Sequence, residues 1–331
     1  MQQIESGQRR LTAEGLVVAV REVDVPLDIF INPLLIAGEA RFSWRRDADT
    51  PVSDLDAFER QAGEWIGTYG ELRAMIGDPV SPIVHRLNLT RASSYEDATD
   101  AGEAVARFLE LGPVPSRDLA QAMYDRMSIL VLMVDAGEGI SGFACLVRNL
   151  GAVLVNRNEI PGQRSYDLAH ELFHILTWDA MPPERLDDGE GSGKLQKRVE
   201  TMAEKFASAL LMPSWLLRTM TGDATDPAWL NATATGLGVS AKALKWRMVD
   251  LGRIDRGTAR AYDDDLLVNN GGLVSGDREL LKFGRPFMDV MAAAILQGHI
   301  SVGRTAELLA IPVDGLGELF EAHGIARPFD M

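Results

Sequence analysis

Residues 167–176 constrain this chain more than any other stretch. Leu168, Ala169, Leu172, Phe173, Ile175 and Leu176 are apolar, so both flanks of a helix here are expected to be buried. Asp167, His170, Glu171 and His174 nevertheless share one stripe, at i, i+3, i+4 and i+7. Burying a polar group without a partner costs about 1–3 kcal/mol, and a charge costs more. The fold must therefore bring something to that stripe. Two imidazoles one turn apart can both reach a single tetrahedral Zn2+, and the Glu beside the first is placed to act as a general base on water. This makes His170 and His174 metal ligands and Glu171 the catalytic residue.

Two histidines leave zinc short of ligands, since a hydrolytic site uses three protein donors and keeps one position open. The chain has five histidines, and the next after His174 is His299. The third donor is thus expected to be a carboxylate on a neighbouring element. Glu200 and Glu204 lie one turn apart on a predicted helix from Leu195 to Leu211. Met202, Ala203, Phe206, Ala207 and Leu210 make that helix pack inward. Asp187, Asp188 and Glu190 fall in an acidic, Gly-rich loop, which would position a ligand less well. His85, His299 and His323 have no partner at metal spacing and read as structural or exposed.

A length of 331 residues with 46% hydrophobic side chains predicts about two ordinary globular domains. The formal net charge of −15 opposes non-specific binding to nucleic acid. Residues 1–46 hold six Lys/Arg and six Asp/Glu, so a DNA contact is expected only there. The single cysteine, Cys145, excludes an intrachain disulfide and a thiolate zinc cluster, and is expected to be buried. Met1-Gln2-Gln3-Ile4-Glu5 has neither the basic nor the apolar part of a signal peptide, and no apolar run could span a bilayer. The expected location is the cytoplasm, with no membrane partner.

The expected class is α+β, mostly helical, with a small antiparallel sheet. Thr12 is read as the N-cap of a short helix stopped by Pro26. Leu55, Phe58, Ala62, Trp65, Ile66, Tyr69 and Leu72 predict a helix over Asp54–Ile76. Ser93-Ser94-Tyr95-Glu96 has the form of a capping box, and Ser116 is read as the cap of the next helix. Ile129–Val134, Phe143–Val147 and Ala152–Val155 read as three strands of an antiparallel meander. Helices are expected over Arg164–Trp178, Leu195–Leu211, Ala241–Leu251 and Pro286–Gln297. The predicted divisions are an N-terminal unit (1–46), a helical region (47–126), the metal-binding core (127–222), a helical extension (223–274) and a small C-terminal helical unit (275–331).

His170-Glu171-x-x-His174, followed by Glu200-x-x-Ala203-x-x-Phe206-Ala207-x-x-Leu210-Leu211-Met212-Pro213, resembles the ImmA/IrrE family of metallopeptidases. The resemblance implies a gluzincin-like core with a small sheet ahead of the active-site helix. It also implies Glu200, over Glu204, as third zinc ligand. One departure is Glu204, where the family usually has Asn. Gln3-Ile4-Glu5-x-Gly7-x-Arg9-Arg10-x-Thr12 is similar to the end of an XRE-type helix-turn-helix, so residues 1–46 are expected to be a truncated remnant of such a domain. DNA binding would then need the complete domain.

The implied function is a zinc endopeptidase that cleaves a repressor-type regulatory protein in a transcriptional or stress-response switch. The alternative is a transcription regulator whose zinc domain senses or scaffolds without cutting. The intact Glu171 favours the first, because a sensor can dispense with a general base. The expected partner is a protein or peptide substrate, and the reading is compatible with a homodimer. Ala152, Val153, Leu154 and Val155 are read as a sheet edge that pairs with extended substrate. Asp167 or Asp179 could orient a ligand histidine, and Tyr166 could stabilise an oxyanion.

Overall fold

The structure, a computed structural model, describes residues 52–83, 85–137, 140–147, 150–182, 193–268 and 280–330, the strand 40–46, and Thr12, Gly15 and Val18. The Thr12 hydroxyl accepts from the Gly15 amide at 3.2 Å, as an N-cap does. The rest of the expected helix-turn-helix remnant, and the loop acids Asp187, Asp188 and Glu190, lie outside the described residues. In chain order the elements are β1 (Ala40–Arg46), α1 (Val52–Met75), α2 (Tyr95–Phe108), α3 (Pro115–Met127), β2 (Leu130–Val134), β3 (Ile140–Val147) and β4 (Leu150–Asn156). There follow α4 (Pro161–Thr177), α5 (Gly193–Leu211), α6 (Ser214–Leu217), α7 (Pro227–Leu237), α8 (Ala241–Asp250) and α9 (Arg256–Ala261). The last three are α10 (Arg285–Leu296), α11 (Val302–Leu308) and α12 (Val313–Ala322). The protein is mostly helical around one small sheet, as expected.

The sheet corrects the predicted meander. Its order is β1-β3-β4-β2, with β3 antiparallel to β1 and β4 but β2 parallel to β4. The β3–β4 pair is the expected hairpin, with Val147 opposite Leu150. The link from β2 to β3 instead crosses the end of β4, which inserts between them. Asn156 fastens that crossing. Its amide nitrogen donates to the Ile140 carbonyl at 2.9 Å, and its oxygen accepts from Ala136 N at 3.4 Å and Asn158 N at 3.1 Å. Every residue of β4 is buried, the pattern of a strand covered on both faces. Ala152, Val153, Leu154 and Val155 are therefore not a sheet edge. They are fully buried and paired on both sides, and no substrate can add to them.

The two faces of the sheet feed two cores, as alternation along strands requires. Val131, Ala144, Val153 and Val155 face the core built with α2–α5, α7 and α8. Leu130, Leu132, Phe143, Cys145, Ala152 and Leu154 face α1 and the C-terminal helices. Cys145 is buried as expected, and burial pushes its thiol well above the usual pKa. Two expected boundaries therefore shift. Ala40–Arg46, assigned to the N-terminal unit, is a strand of the sheet. The C-terminal unit shares its core with α1. Trp65 meets Phe283 edge-on at 5.1 Å, Tyr69 stacks on Phe287 at 5.7 Å, and Trp65 Nε1 donates to the Leu308 carbonyl at 2.8 Å. Ahead of α10 the chain runs along the outer edge of β2. Phe283 N donates to the Met133 carbonyl at 2.6 Å, and a Cβ on Gly284 would lie 2.6 Å from the Val131 carbonyl.

Local signals were displaced in two places. The reciprocal capping box uses Ser94 and Asp97, not Ser93 and Glu96. Ser116 does not cap α3, which starts on Pro115; its hydroxyl donates to the Leu237 carbonyl at 2.6 Å.

Helix α2 carries Gly102 in mid-helix, where glycine costs roughly 0.5–1 kcal/mol relative to alanine. The reason is its approach to α5. A Cβ at Gly102 would lie 2.4 Å from the Phe206 carbonyl and 3.0 Å from Ala209 Cβ. Gly102→Ala is accordingly expected to destabilise the fold by about 1–3 kcal/mol despite its better helix propensity. Urea unfolding measures this, and an unchanged or raised midpoint would contradict so close a helix contact.

Candidate metal centre

Helix α4 starts on Pro161, whose fixed φ suits the first helical position. Its flanks pack as the sequence predicted. Leu168, Ala169, Leu172, Phe173, Ile175 and Leu176 are all buried, and the Phe173 and Phe206 rings lie 5.5 Å apart across the contact with α5. The polar stripe is buried as well, with His170 3%, Glu171 1% and His174 2% exposed.

The partner of that stripe comes from α5. His170 Nε2 lies 3.2 Å from His174 Nε2 and 3.1 Å from Glu200 Oε2, and His174 Nε2 lies 3.6 Å from the same oxygen. Three donors on one ion with bonds of about 2.0–2.1 Å and tetrahedral angles would be separated by about 3.3 Å. The observed spacings bracket that value, so these side chains fit a zinc ion. Among the described residues, these three are grouped as donors that could hold a metal. Burial alone would push the Glu200 carboxyl up. Hydrogen bonds and charge from His170 and His174 outweigh it and hold the group well below the usual carboxylate range.

Glu204 does not join the cluster. Four residues advance a helix by about 6 Å along its axis, which carries Glu204 past the histidines to a position where it is exposed. Its carbonyl accepts from the Tyr166 hydroxyl at 2.9 Å, which directs that hydroxyl to α5 rather than to an oxyanion. Asp179 is at the surface and accepts from Arg86 Nε at 3.1 Å. Asp167 is fully buried and takes a hydrogen bond from Gln163 at 2.8 Å. His85 stacks on Phe108, His299 is exposed, and His323 bonds the Lys282 carbonyl.

Residues 124–248 match the family model described as the IrrE N-terminal-like domain, Peptidase_M78. The matched region spans β2, β3, β4, α4 and α5, and contains all three donors and Glu171. These residues belong to the ImmA/IrrE family. No curated protein matches the chain. The ImmA/IrrE domain is of metallopeptidase type, and its helices α4 and α5 carry the two halves of the centre.

Two residues near the centre escaped sequence reasoning. Gly142 on β3 lies against the stripe: a Cβ there would be 3.5 Å from Asp167 Cβ, 3.7 Å from Glu171 Cγ and 3.3 Å from the Leu154 carbonyl. Gln196 donates to the other oxygen of Glu200, Oε1, at 2.6 Å. Its signal was the four-residue spacing to Glu200, which puts both on one helix face.

Proposed function

We propose that this chain is a zinc-dependent endopeptidase acting on a repressor-type regulatory protein. The observation that carries the reading is the convergence of His170 Nε2, His174 Nε2 and Glu200 Oε2 at tetrahedral donor spacing beside a buried Glu171. His170, His174 and Glu200 hold the ion. Bound zinc supplies a Lewis acid and lowers the pKa of its water to about 7. Glu171 takes the proton from the attacking water and later delivers it to the leaving amine. Its side chain is buried, at 1% exposure, which keeps that proton from bulk solvent. Glu200 is the most open of the donors, with 37% of its side chain exposed, so substrate approaches from the α5 side.

The ImmA/IrrE match supports a polypeptide substrate, and the family resemblance supports a regulatory protein as its source. An extended peptide would add to the β1 side of the sheet, because segment 280–284 covers β2. No helix of the described residues is long and apolar enough to cross a membrane.

Elemental analysis of purified protein tests the ligand set. Wild type and Glu204→Ala are expected to carry one zinc per chain, and Glu200→Ala to lose most of it. Full retention in Glu200→Ala with loss in Glu204→Ala would reverse the assignment.

A further inference from the structure

The Glu200 carboxylate has two chemically equivalent oxygens, and only one of them faces the histidines. Oε2 lies 3.1 Å from His170 Nε2 and 3.6 Å from His174 Nε2. Oε1 turns the other way and accepts from Gln196 Nε2 at 2.6 Å. Gln196 stands four residues earlier on α5 and is partly buried, so the two side chains run along one flank of the helix. Glu200 needs such a tether. Its side chain is 37% exposed, against 3% and 2% for the histidines, so packing alone does not fix its torsions.

We propose that Gln196 is a positioning residue that makes Glu200 a one-oxygen ligand. The inference rests on the metal reading of the His170–His174–Glu200 cluster. With Oε1 engaged by the amide, Oε2 is presented to the ion alone. A freely rotating carboxylate could bring both oxygens to the ion and occupy the coordination position that a hydrolytic site keeps open. The neutral amide adds a second benefit. It orients the carboxylate through a short, charge-assisted hydrogen bond without adding a cation beside the ligand. Outer groups of this kind commonly change metal affinity by about 10–100-fold when removed.

The test uses the full chain, metal-free and then loaded with Zn2+ or Co2+ alone. Gln196→Met keeps the length of the side chain and removes the donor. Gln196→Lys keeps a donor of similar reach. Chelator competition is expected to show zinc bound about 10–100-fold more weakly by Gln196→Met, with Gln196→Lys recovering part of the loss, since it restores the donor but adds a cation beside the ligand. The visible band of the Co2+ form, intense for four-coordinate cobalt, is expected to weaken in Gln196→Met as Glu200 turns to two-oxygen binding. Thermal melting of the metal-free proteins should coincide, because residue 196 touches no core. Unchanged affinity and an unchanged cobalt spectrum in Gln196→Met would overturn the assignment. Glu200→Ala, measured alongside, separates the two readings. If it too binds zinc like wild type, the metal cluster itself is wrong. If only Gln196→Met is silent, the cluster stands and the positioning role falls.

Discussion

Glu171→Gln is expected to retain zinc and lose hydrolysis by a factor of about 10²–10⁴, the usual contribution of a general base. The substitution preserves shape, which matters at a position only 1% exposed. Gly142 of β3 packs against this side chain, since a Cβ on it would lie in ordinary contact, 3.7 Å, with Glu171 Cγ. A neutral amide can occupy the same space but cannot accept the proton of water. Turnover of a quenched-fluorescent peptide library, with zinc measured on the same samples, gives the answer. Wild-type turnover in a fully metallated variant would remove Glu171 from the chemistry, whereas no turnover by the metallated wild type would favour the sensor alternative. A metal-free variant would instead point to Glu171 as a structural support of the histidines.

The largest expected change in stability lies away from the metal. Arg247 of α8 is 2% exposed, and its Nη2 donates to Glu103 Oε1 on α2 at 2.7 Å. Arg247 Nε also donates to the Met212 carbonyl, just past the end of α5, at 2.9 Å. Glu103 in turn accepts from Ser214 N and Oγ, both at 2.9 Å. Burial presses the guanidinium pKa down, and the Glu103 charge opposes it. Glu103→Ala leaves that cation buried without its counter-charge, at an expected cost of about 3–5 kcal/mol. The double variant Glu103→Leu/Arg247→Met removes both charges and is expected to recover most of the loss. Urea unfolding of the three proteins distinguishes the cases. A single-variant loss below about 1 kcal/mol would mean that water reaches Arg247 and the pair is effectively a surface one.

What could be read from the sequence follows the range of the interactions involved. The metal helix was legible because its chemistry and its periodicity coincide: a polar stripe between two apolar flanks has few solutions. Glu200 came from the same logic applied to α5, and its preference over Glu204 came from the family resemblance. The strands were legible as segments, since each is a short apolar run. Their order was not. Gly137 and Gly139 look like a hairpin turn, and only the later arrival of β4 converts the link into a crossing. That single insertion moved Ala152–Val155 from an expected edge to the interior. The strand at 40–46 did carry a signal, the alternation of Phe42 and Trp44 with Arg41, Ser43 and Arg45. The Glu103–Arg247 pair carried none, because no local rule links two residues so distant in sequence. Of the C-terminal helices only Pro286–Gln297 was read individually, the others as one small helical unit, and their docking on α1 depends on aromatic contacts that no spacing encodes.

The lining of β2 by residues 280–284 bears on how copies of this protein meet one another. A bare edge strand offers a row of unpaired carbonyls and amides on which any other chain can build, and folded proteins usually blunt it. Here the Met133 carbonyl is capped by Phe283, and the close approach of Gly284 to Val131 leaves no channel for a second backbone. The same stretch leads directly into α10, which carries Phe287 into the core beneath the sheet. Peeling the cover away would therefore also uproot an aromatic anchor. Among the described residues, pairing of a second copy along β2 would thus have to displace Phe283 from Met133 and disturb the Phe287 anchor as well.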